Sequence, residues 1–251
     1  MDIRDISEAT AVFSDAFQFP GTALNPEAPP YIERDRVVMA ARPGMLRKLL
    51  PIRQDPAGVF CGGCYLFDTV DNARAYGDWV ANEFRLDGET LFLDRPEFLE
   101  PTSQLWQIVG ARDFGDVTTQ QTVMRFERWH VPSLPPMGEL RRSWDAVEGA
   151  AGSAGATSAW LLSGCDEVHP QLGTVTAYQA DPSHAGDADN ATLDAIGGRP
   201  SVGAELAKSL GGTKVFDRTS WIYMIWFPID EGDTSPDTAL WPVSPPLPGL
   251  S

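Results

Sequence analysis

The order of strand-like and helix-like segments repeats once along this chain of 251 residues. In each half, β-rich apolar runs and amphipathic stretches predict the order strand, helix, strand, strand, helix, strand. A unit of that order places both helices on one face of its sheet, so the other face has to be covered by something else.

The first half begins after an arm at residues 1–30, predicted to be irregular because prolines interrupt every run. Only a short helix near residues 9–17 fits within that arm. The clearest later segment is a helix at 71–84, whose apolar residues recur at three- and four-residue steps and share one face. The other predicted elements are a strand at 36–41, a helical segment at 45–50, two short strands or one bent strand at 59–67, and a strand at 104–114.

The second half repeats this order in element type and not in residue identity. Its last helix is predicted to end at Gly211-Gly212, since glycine is a common helix terminator. A Pro-rich tail at 230–251 is predicted to be surface coil. The predicted elements are a strand at 122–131, a helix at 139–150, strands at 158–165 and 173–180, a helix at 202–210 and a strand at 219–227.

We therefore predict an α+β fold built from two fused ferredoxin-like βαββαβ modules, at residues 31–118 and 119–229. Packing the modules sheet to sheet would cover both bare faces and give a unit like a dimeric α+β barrel. The main pocket is then expected inside the chain and not at a subunit interface.

Charge and hydropathy exclude several classes of protein. The formal net charge is −16 and the 19 basic residues are scattered, which argues against binding to nucleic acid. No window approaches the roughly 20 apolar residues that a membrane-spanning helix needs. The charged start of the chain has no apolar run behind it, so we expect no secretion signal and a cytoplasmic protein.

The spacing of Cys61 and Cys64 is that of a redox or zinc site. The pair lies within an apolar run and does not open a helix, so the usual cause of a lowered thiol pKa is missing. A structural zinc site would also need further Cys or His ligands. We expect small residues at a tight strand junction and no metal.

Several stretches resemble a known superfamily. GCYLFDTVDNARAYGDWV at 63–80 resembles the strand-then-helix unit of the antibiotic biosynthesis monooxygenases, which are dimeric α+β barrel proteins. FLDRPEF at 92–98, WQIVGARDF at 106–114 and VMRFERW at 123–129 are similar to a fused, two-module actinobacterial branch. That branch includes the oxygenases that open the B ring of angucycline polyketides in jadomycin-, gilvocarcin- and kinamycin-type pathways.

The resemblance implies oxidation of a polycyclic aromatic polyketide by O2, with hydroxylation or C–C bond cleavage and without a metal. It also implies either no cofactor or reduced flavin (FADH2 or FMNH2), with a flavin reductase as partner, and it leaves a homodimer open. The sequence contains no GxGxxG after a strand, so a reduced flavin would act as a diffusible co-substrate.

Such chemistry needs a base to deprotonate the substrate, and histidine is the usual choice. His130 ends a predicted strand, His169 lies in a loop between two strands, and His184 lies in a polar loop where we expect it to be solvated. Arg125 and Glu127 share one face of a strand. They form either a structural ion pair or a site where Arg125 holds an anionic substrate oxygen.

Aromatic residues on the predicted strands favour either a flat substrate pocket or ordinary core packing. The candidates for substrate binding are Trp106, Trp129, Trp160, Tyr178, Trp221 and Tyr223.

Two other functions remain open. A haem protein of the chlorite-dismutase type would need His130 or His169 as its proximal ligand, and a Soret band would reveal it. A non-catalytic polyketide-binding or cyclase-like protein would hold the substrate without consuming O2.

Overall fold

The computed structural model describes residues 6, 8–19, 36–55, 58–85, 88–96, 98–115, 117, 122–180, 190–230 and 239–240. The chain divides into two compact units. The first unit is Met1–Leu105 with Tyr223–Ser251, and the second unit is Trp106–Ile222. The packing of two modules sheet to sheet and the module boundaries stay predictions.

The first unit is built on an antiparallel sheet. Strand β3 lies between β1 and β2, and β1 lies between β3 and β4. Helix α1 connects β3 to β4 and packs on one face of this sheet. The elements are β1 (Ala11–Phe19), β2 (Met45–Asp55), β3 (Gly58–Phe67), α1 (Val70–Asn82), a 3-10 turn (Phe92–Asp94) and β4 (Leu99–Asp113).

Helix α1 begins where the sequence predicts it. The Thr69 side chain accepts a hydrogen bond from the Asn72 backbone N–H, which satisfies one of the free donors at the helix start. The buried face of α1 includes Tyr76, whose ring lies 4.8 Å from that of Tyr65 and 5.4 Å from that of Phe13. The core of the first unit is therefore an aromatic layer between α1 and the sheet.

The second unit contains the residues of β4 from Trp106 onward and the residues of β8 up to Ile222. Strand β7 lies between β5 and β6, β5 pairs with β8, and β6 pairs with β4. The elements are β5 (Thr122–His130), α2 (Met137–Ser153), β6 (Ala156–Gly164), β7 (Gln171–Gln179), α3 (Asn190–Gly197), α4 (Ala204–Ser209) and β8 (Thr213–Trp226). Strand β9 (Ala239–Leu240), of the first unit, pairs with the end of β8.

Each unit has the same internal strand order. The fourth strand lies beside the first, followed by the third and then the second, which is β4-β1-β3-β2 in one unit and β8-β5-β7-β6 in the other. This is the antiparallel arrangement of a βαββαβ unit. The α+β class and the ferredoxin-like order are therefore confirmed.

The irregular arm predicted at residues 1–30 is wrong for 11–19, which form β1, and the short helix expected near 9–17 is absent. Both faces of β1 are largely buried, so its sequence lacks the alternation of polar and apolar residues that identifies a half-exposed strand.

The next two predicted elements have the opposite type of secondary structure from the one predicted. Residues 36–39 form a helical turn and not a strand, and residues 45–50 belong to β2 and not to a helix. Arg47 and Lys48 of β2 are buried, which places polar residues where a strand normally carries apolar ones. A register shift between Met45 and Arg47 further disturbs the two-residue period.

The stretch at 59–67 is one continuous strand, so the expected tight junction at Gly62-Gly63 is wrong. The two glycines instead allow neighbouring groups to approach the backbone of β3 closely. A Cβ at Gly62 would overlap the Asp15 carbonyl oxygen, and a Cβ at Gly63 would overlap the Tyr65 ring. Cys61 and Cys64 are three residues apart in this strand and so point to opposite faces.

In the described part of the chain, no helix has the length and apolar character to cross a membrane.

Candidate functional site

The two described histidines lie at the surface of the second unit. His130 is the exposed last residue of β5, and His169 is exposed in the loop that follows β6. The His169 Nδ1 atom lies 3.2 Å from Asp166 Oδ2. His184 lies outside the described residues. The structure therefore does not bury either described histidine, and their catalytic role stays a prediction.

Arg125 is buried, with 4% of its surface exposed, and most of its donors are engaged. Its Nε and Nη2 atoms donate to the two Asp217 carboxylate oxygens at 2.9 and 2.7 Å, and Nη1 donates to the Arg199 carbonyl at 2.7 Å. Nη2 also lies 2.9 Å from Glu127 Oε1. This arrangement is what a structural ion pair requires, and binding of a substrate anion by Arg125 stays a prediction.

Lys214 completes the ion network. Its Nζ atom lies 2.6 Å from Glu127 Oε1 and 2.9 Å from Asp217 Oδ2, so two cations face two carboxylates. Burial alone would raise the pKa of Asp217, but the hydrogen bonds from Arg125 and Lys214 outweigh it and lower that pKa. The network therefore balances two positive charges with two negative charges inside the second unit.

The six predicted aromatics do not share one surface. Trp106 packs edge-on against Phe126 of β5, with ring centroids 5.8 Å apart. Trp129 follows Phe126 by three residues in the same strand, so its side chain projects from the opposite face of the sheet. Strand pairing places Trp160 on the Trp106 side, and Tyr178 and Trp221 on the Trp129 side. Tyr223 is half-buried in the first unit.

A different cluster lies in the first unit, on the sheet face that α1 covers. Asp15 of β1 is opposite Gly63 of β3, and Lys48 of β2 is opposite Tyr65 of β3. Because Gly63 and Tyr65 are two residues apart, all these positions project to the same face. We call Asp15, Lys48, Tyr65 and Trp226 the Asp15 cluster.

Asp15 is a carboxylate inside an apolar core, with 6% of its surface exposed. Within the described residues, neither of its carboxylate oxygens has a hydrogen-bond partner of normal geometry. Burial raises its pKa to about 6, although the charge of Lys48, the Gly63 N–H and the Tyr65 hydroxyl each act to lower it. Asp15 can therefore exchange a proton near neutral pH, as a general base must.

Lys48 brings a positive charge into the same core, with 4% of its surface exposed. Its Nζ atom lies 3.8 Å from the centroid of the Trp226 ring and 4.6 Å from that of Tyr65. It also contacts the Met39 sulfur at 3.8 Å. Aromatic faces attract a cation of this kind in a dry site.

The Tyr65 hydroxyl donates a hydrogen bond to the Met39 sulfur at 3.9 Å, and Trp226 presents its ring face to Lys48. Burial, followed by the charge of Asp15, raises the pKa of Tyr65 well above its ordinary value, so its hydroxyl stays protonated. A Cβ at Gly63 would lie 2.9 Å from that hydroxyl, so the missing side chain is what lets Tyr65 lie over β3. The Trp226 Nε1 is buried and has no acceptor among the described residues.

Cys61 adjoins this cluster as an unreactive thiol. Burial raises its pKa to about 12, while Lys48 acts to lower it and Asp15 to raise it. The pKa of Cys64 is also raised to about 12, again mainly by burial. In the described residues, no group of three or more His, Cys, Asp or Glu side chains could hold a metal ion.

Sequence reasoning missed the Asp15 cluster because Asp15 and Lys48 lie in segments that were predicted to be an irregular arm and a helix, and both segments are strands. The one available signal was the pair Gly62-Gly63 within a strand, since an interior strand glycine marks the close approach of another group.

No family model matches the sequence, and no curated protein matches it. Among solved structures, the chain is similar to an anthrone oxidase-like protein, with a TM-score of 0.55, 11% identity, and 94% of this chain and 98% of that chain covered. It is also similar to a monooxygenase-like protein from Listeria innocua (TM-score 0.41, 10% identity, 86% and 96% covered). A third is a ferredoxin-fold protein from Listeria monocytogenes related to antibiotic biosynthesis monooxygenases (TM-score 0.39, 9% identity, 88% and 96% covered). At these identities the likeness shows the fold alone.

Proposed function

We propose that this protein is an oxygenase that deprotonates an electron-rich polycyclic aromatic substrate and oxidises it with O2. The observation that carries the proposal is Asp15, a buried carboxylate with a pKa of about 6 beside the buried Lys48. The fold likeness to an anthrone oxidase-like protein supports it.

The chemistry starts with removal of a proton. O2 reacts slowly with a neutral closed-shell arene, whereas a phenolate or a carbanion between two rings gives up an electron readily. Asp15 takes the proton, and Lys48 and the Tyr65 hydroxyl stabilise the negative charge left on the substrate. In the simplest reaction a CH2 group and O2 become a carbonyl and one molecule of water, so no further reductant is needed.

We further propose an angucycline-like polyketide as the substrate, with hydroxylation or C–C bond cleavage as the reaction. That reaction places one oxygen atom in the substrate and the other in water, so it needs two more electrons, which diffusible reduced flavin would supply. The residues described here offer no basis for a flavin step, and Asp15, Lys48 and Tyr65 have the same proton and charge roles in either case.

The test is O2 uptake by the purified protein with an anthrone and with a benz[a]anthraquinone, each with and without FMN and a flavin reductase. Asp15→Asn should lower turnover by about 10²- to 10⁴-fold. Asp78→Asn, the same change on an exposed residue of α1, should leave turnover unchanged. Activity of the wild type should rise with pH through about 6, because the base must be ionised.

His130→Ala and His169→Ala test the competing assignment of the base. If either histidine variant loses turnover while Asp15→Asn keeps it, Asp15 is not the base. If no probe is consumed under any condition, the oxygenase proposal fails, and tight binding without O2 uptake would favour the polyketide-binding alternative. A Soret band in protein supplied with haem would favour the chlorite-dismutase-like alternative.

A further inference from the structure

The Tyr65 hydroxyl has two acceptors of very different strength within its reach. In the structure it donates to the Met39 sulfur, with the oxygen and the sulfur 3.9 Å apart. It is also near enough to Asp15 that a hydrogen bond acts to lower the pKa of the carboxylate, against the larger effect of burial. A hydroxyl has one hydrogen, so it can serve only one of these acceptors at a time.

Strand pairing and a missing side chain bring this hydroxyl to Asp15. Asp15 of β1 is opposite Gly63 of β3. A Cβ at Gly63 would lie 2.9 Å from the Tyr65 hydroxyl oxygen, so the hydroxyl takes the space that a side chain at Gly63 would fill. Asp15 and Tyr65 are both almost fully buried, so bulk solvent offers the hydroxyl little alternative.

The charge on Asp15 decides which acceptor is the stronger one. A thioether sulfur is a weak acceptor, whereas hydrogen bonds to an ionised carboxylate are roughly twice as strong as those between neutral groups. An ionised Asp15 should therefore take the hydroxyl from Met39. A protonated Asp15 is neutral and is itself a donor, so it no longer holds the hydroxyl.

We propose that the Tyr65 hydroxyl is a two-position donor whose acceptor is set by the proton on Asp15. It stabilises the ionised carboxylate before the reaction and is released when one proton moves from the substrate to that carboxylate. The released hydroxyl then donates to the substrate anion, so a single donor follows the negative charge from the base to the substrate. This inference rests on the proposed function, because the proton that releases the hydroxyl comes from the substrate.

Other groups that act on this pair do not account for such a switch. Among the described residues, the titratable side chains that act on Asp15 or Tyr65 are Lys48 of β2, Cys61 and Cys64 of β3, and Tyr76 of α1. The two thiols stay neutral near pH 7, since burial raises the pKa of each to about 12. Effects of these groups that do not pass through the Tyr65 hydroxyl cancel when proteins with and without that hydroxyl are compared.

The experiment follows the ionisation of Asp15 through the stability of the full-length protein. Urea unfolding is measured from about pH 4.5 to about pH 8.5 with Asp15 and with Asp15→Asn, each in the wild-type and the Tyr65→Phe background. The difference within each pair grows while only the folded state keeps the Asp15 proton, and it levels off above the folded-state pKa.

Removal of the hydroxyl should make Asp15 harder to ionise. With Tyr65 present the difference should level off above about pH 6. With Tyr65→Phe it should level off about one pH unit higher, because the ionised carboxylate has lost a charge-assisted hydrogen bond. Tyr178→Phe makes the same change at a buried tyrosine of the second unit and should leave the curve unchanged.

A second substitution separates a switching hydroxyl from a fixed one. Met39→Leu removes the competing sulfur, so Asp15 should ionise at a pH roughly half a unit lower. The Met39 sulfur also contacts Lys48, so the same substitution is made together with Tyr65→Phe, where no hydroxyl remains to be released. The shift should disappear there, and a shift that persists would come from Lys48 and would overturn the inference.

Turnover connects the switch to the chemistry. The pH at which O2 uptake with an anthrone is half-maximal should rise by about one unit in Tyr65→Phe. The maximal rate should also fall by at least about tenfold, because the substrate anion loses a donor.

An unchanged Asp15 curve in Tyr65→Phe, or no downward shift in Met39→Leu where Tyr65→Phe does not fold, overturns this inference and leaves the proposed function intact. A wild type that consumes no O2 with any probe overturns the proposed function and, with it, the transfer of the hydroxyl to a substrate anion.

Discussion

Replacing Asp15 with asparagine should make the protein more stable at neutral pH while removing the proposed oxygenase activity. Asparagine has nearly the shape of a protonated aspartate and carries no charge. The pKa of Asp15 is raised by burial from its ordinary 3.8 to about 6. The folded state therefore binds the Asp15 proton more tightly than the unfolded state, and stability falls as pH rises between these values.

The size of the effect follows from the difference between the two pKa values. One pKa unit corresponds to about 1.36 kcal/mol, so ionising Asp15 lowers the free energy of unfolding by about 3 kcal/mol once both states are ionised. The side chain is almost fully buried, so solvent does not screen this effect. From about pH 4.5 to about pH 7.5 the expected change is about 2 kcal/mol, because the unfolded state is already partly ionised at the lower pH.

The assay is urea unfolding of the wild type and Asp15→Asn across this pH range. The difference between the two free energies isolates Asp15, since the variant retains every other titrating group. This difference in the free energy of unfolding should grow by about 2 kcal/mol in favour of Asp15→Asn from about pH 4.5 to about pH 7.5. Asp217→Asn is the matched control of opposite sign: the pKa of Asp217 is lowered, so that variant should lose most at neutral pH. A flat Asp15 difference curve would refute the reasoning.

Three other substitutions or reactions test the structure. Gly63→Ala should lower the free energy of unfolding by about 1–3 kcal/mol and lower turnover, because the new methyl group overlaps the neighbouring tyrosine ring. Gly149→Ala, in open space on α2, should not destabilise. Arg125→Met should cost about 3–5 kcal/mol in urea unfolding because it leaves a buried glutamate without this partner; a loss below about 1 kcal/mol would contradict the network. Cys61 and Cys64 should resist maleimide at neutral pH until urea unfolds the protein. Labelling of either cysteine in the native protein, detected by mass spectrometry, would contradict this prediction.

The second half of the chain was predictable in most elements because its patterns are conventional. The strand at 122–131 and the helix at 139–150 match β5 and α2 within about three residues at each end, the usual accuracy of such boundaries. Helix α3 was missed because it follows a polar stretch rich in Asp, Ala and Gly that reads as one loop. Strand β8 starts six residues before its predicted beginning, in a segment that includes Lys214 and Asp217 of the ion network.

The first half was harder to predict because its strands carry polar residues on buried faces. In β2, the charged residues Arg47 and Lys48 leave the apolar residues around them at helical spacing. Only pairing with the neighbouring strands shows that the segment is extended. In β1, Asp15 interrupts an aromatic face. Local sequence could not distinguish these strands from irregular or helical chain, since long-range pairing decides their conformation.

The same residues explain why the candidate site could not be found from composition. A search for a base near neutral pH turns first to histidine, whose ordinary pKa already lies there. Aspartate reaches that range only through burial, and burial of Asp15 depends on β3 and α1, which lie about 50 residues or more along the chain. The property that makes Asp15 a candidate therefore belongs to the fold and not to the residue.

The second unit shows how this chain treats a buried charge that has a purely structural role. Arg125 and Glu127 are as buried as Asp15, but each lies within hydrogen-bond distance of an oppositely charged group, and Asp217 and Lys214 complete the balance. Asp15 has Lys48, the Gly63 N–H and the Tyr65 hydroxyl near enough to lower its pKa, yet burial still dominates, and neither carboxylate oxygen has a hydrogen bond of normal geometry among the described residues. A fold that can satisfy two ion pairs in one unit has no structural need for an unsatisfied carboxylate in the other. A buried charge without a well-formed ion pair breaks the usual rules of core packing, and such exceptions are expected at functional sites. The difference between the paired ions of the second unit and Asp15 therefore favours a functional role for Asp15 over a structural one.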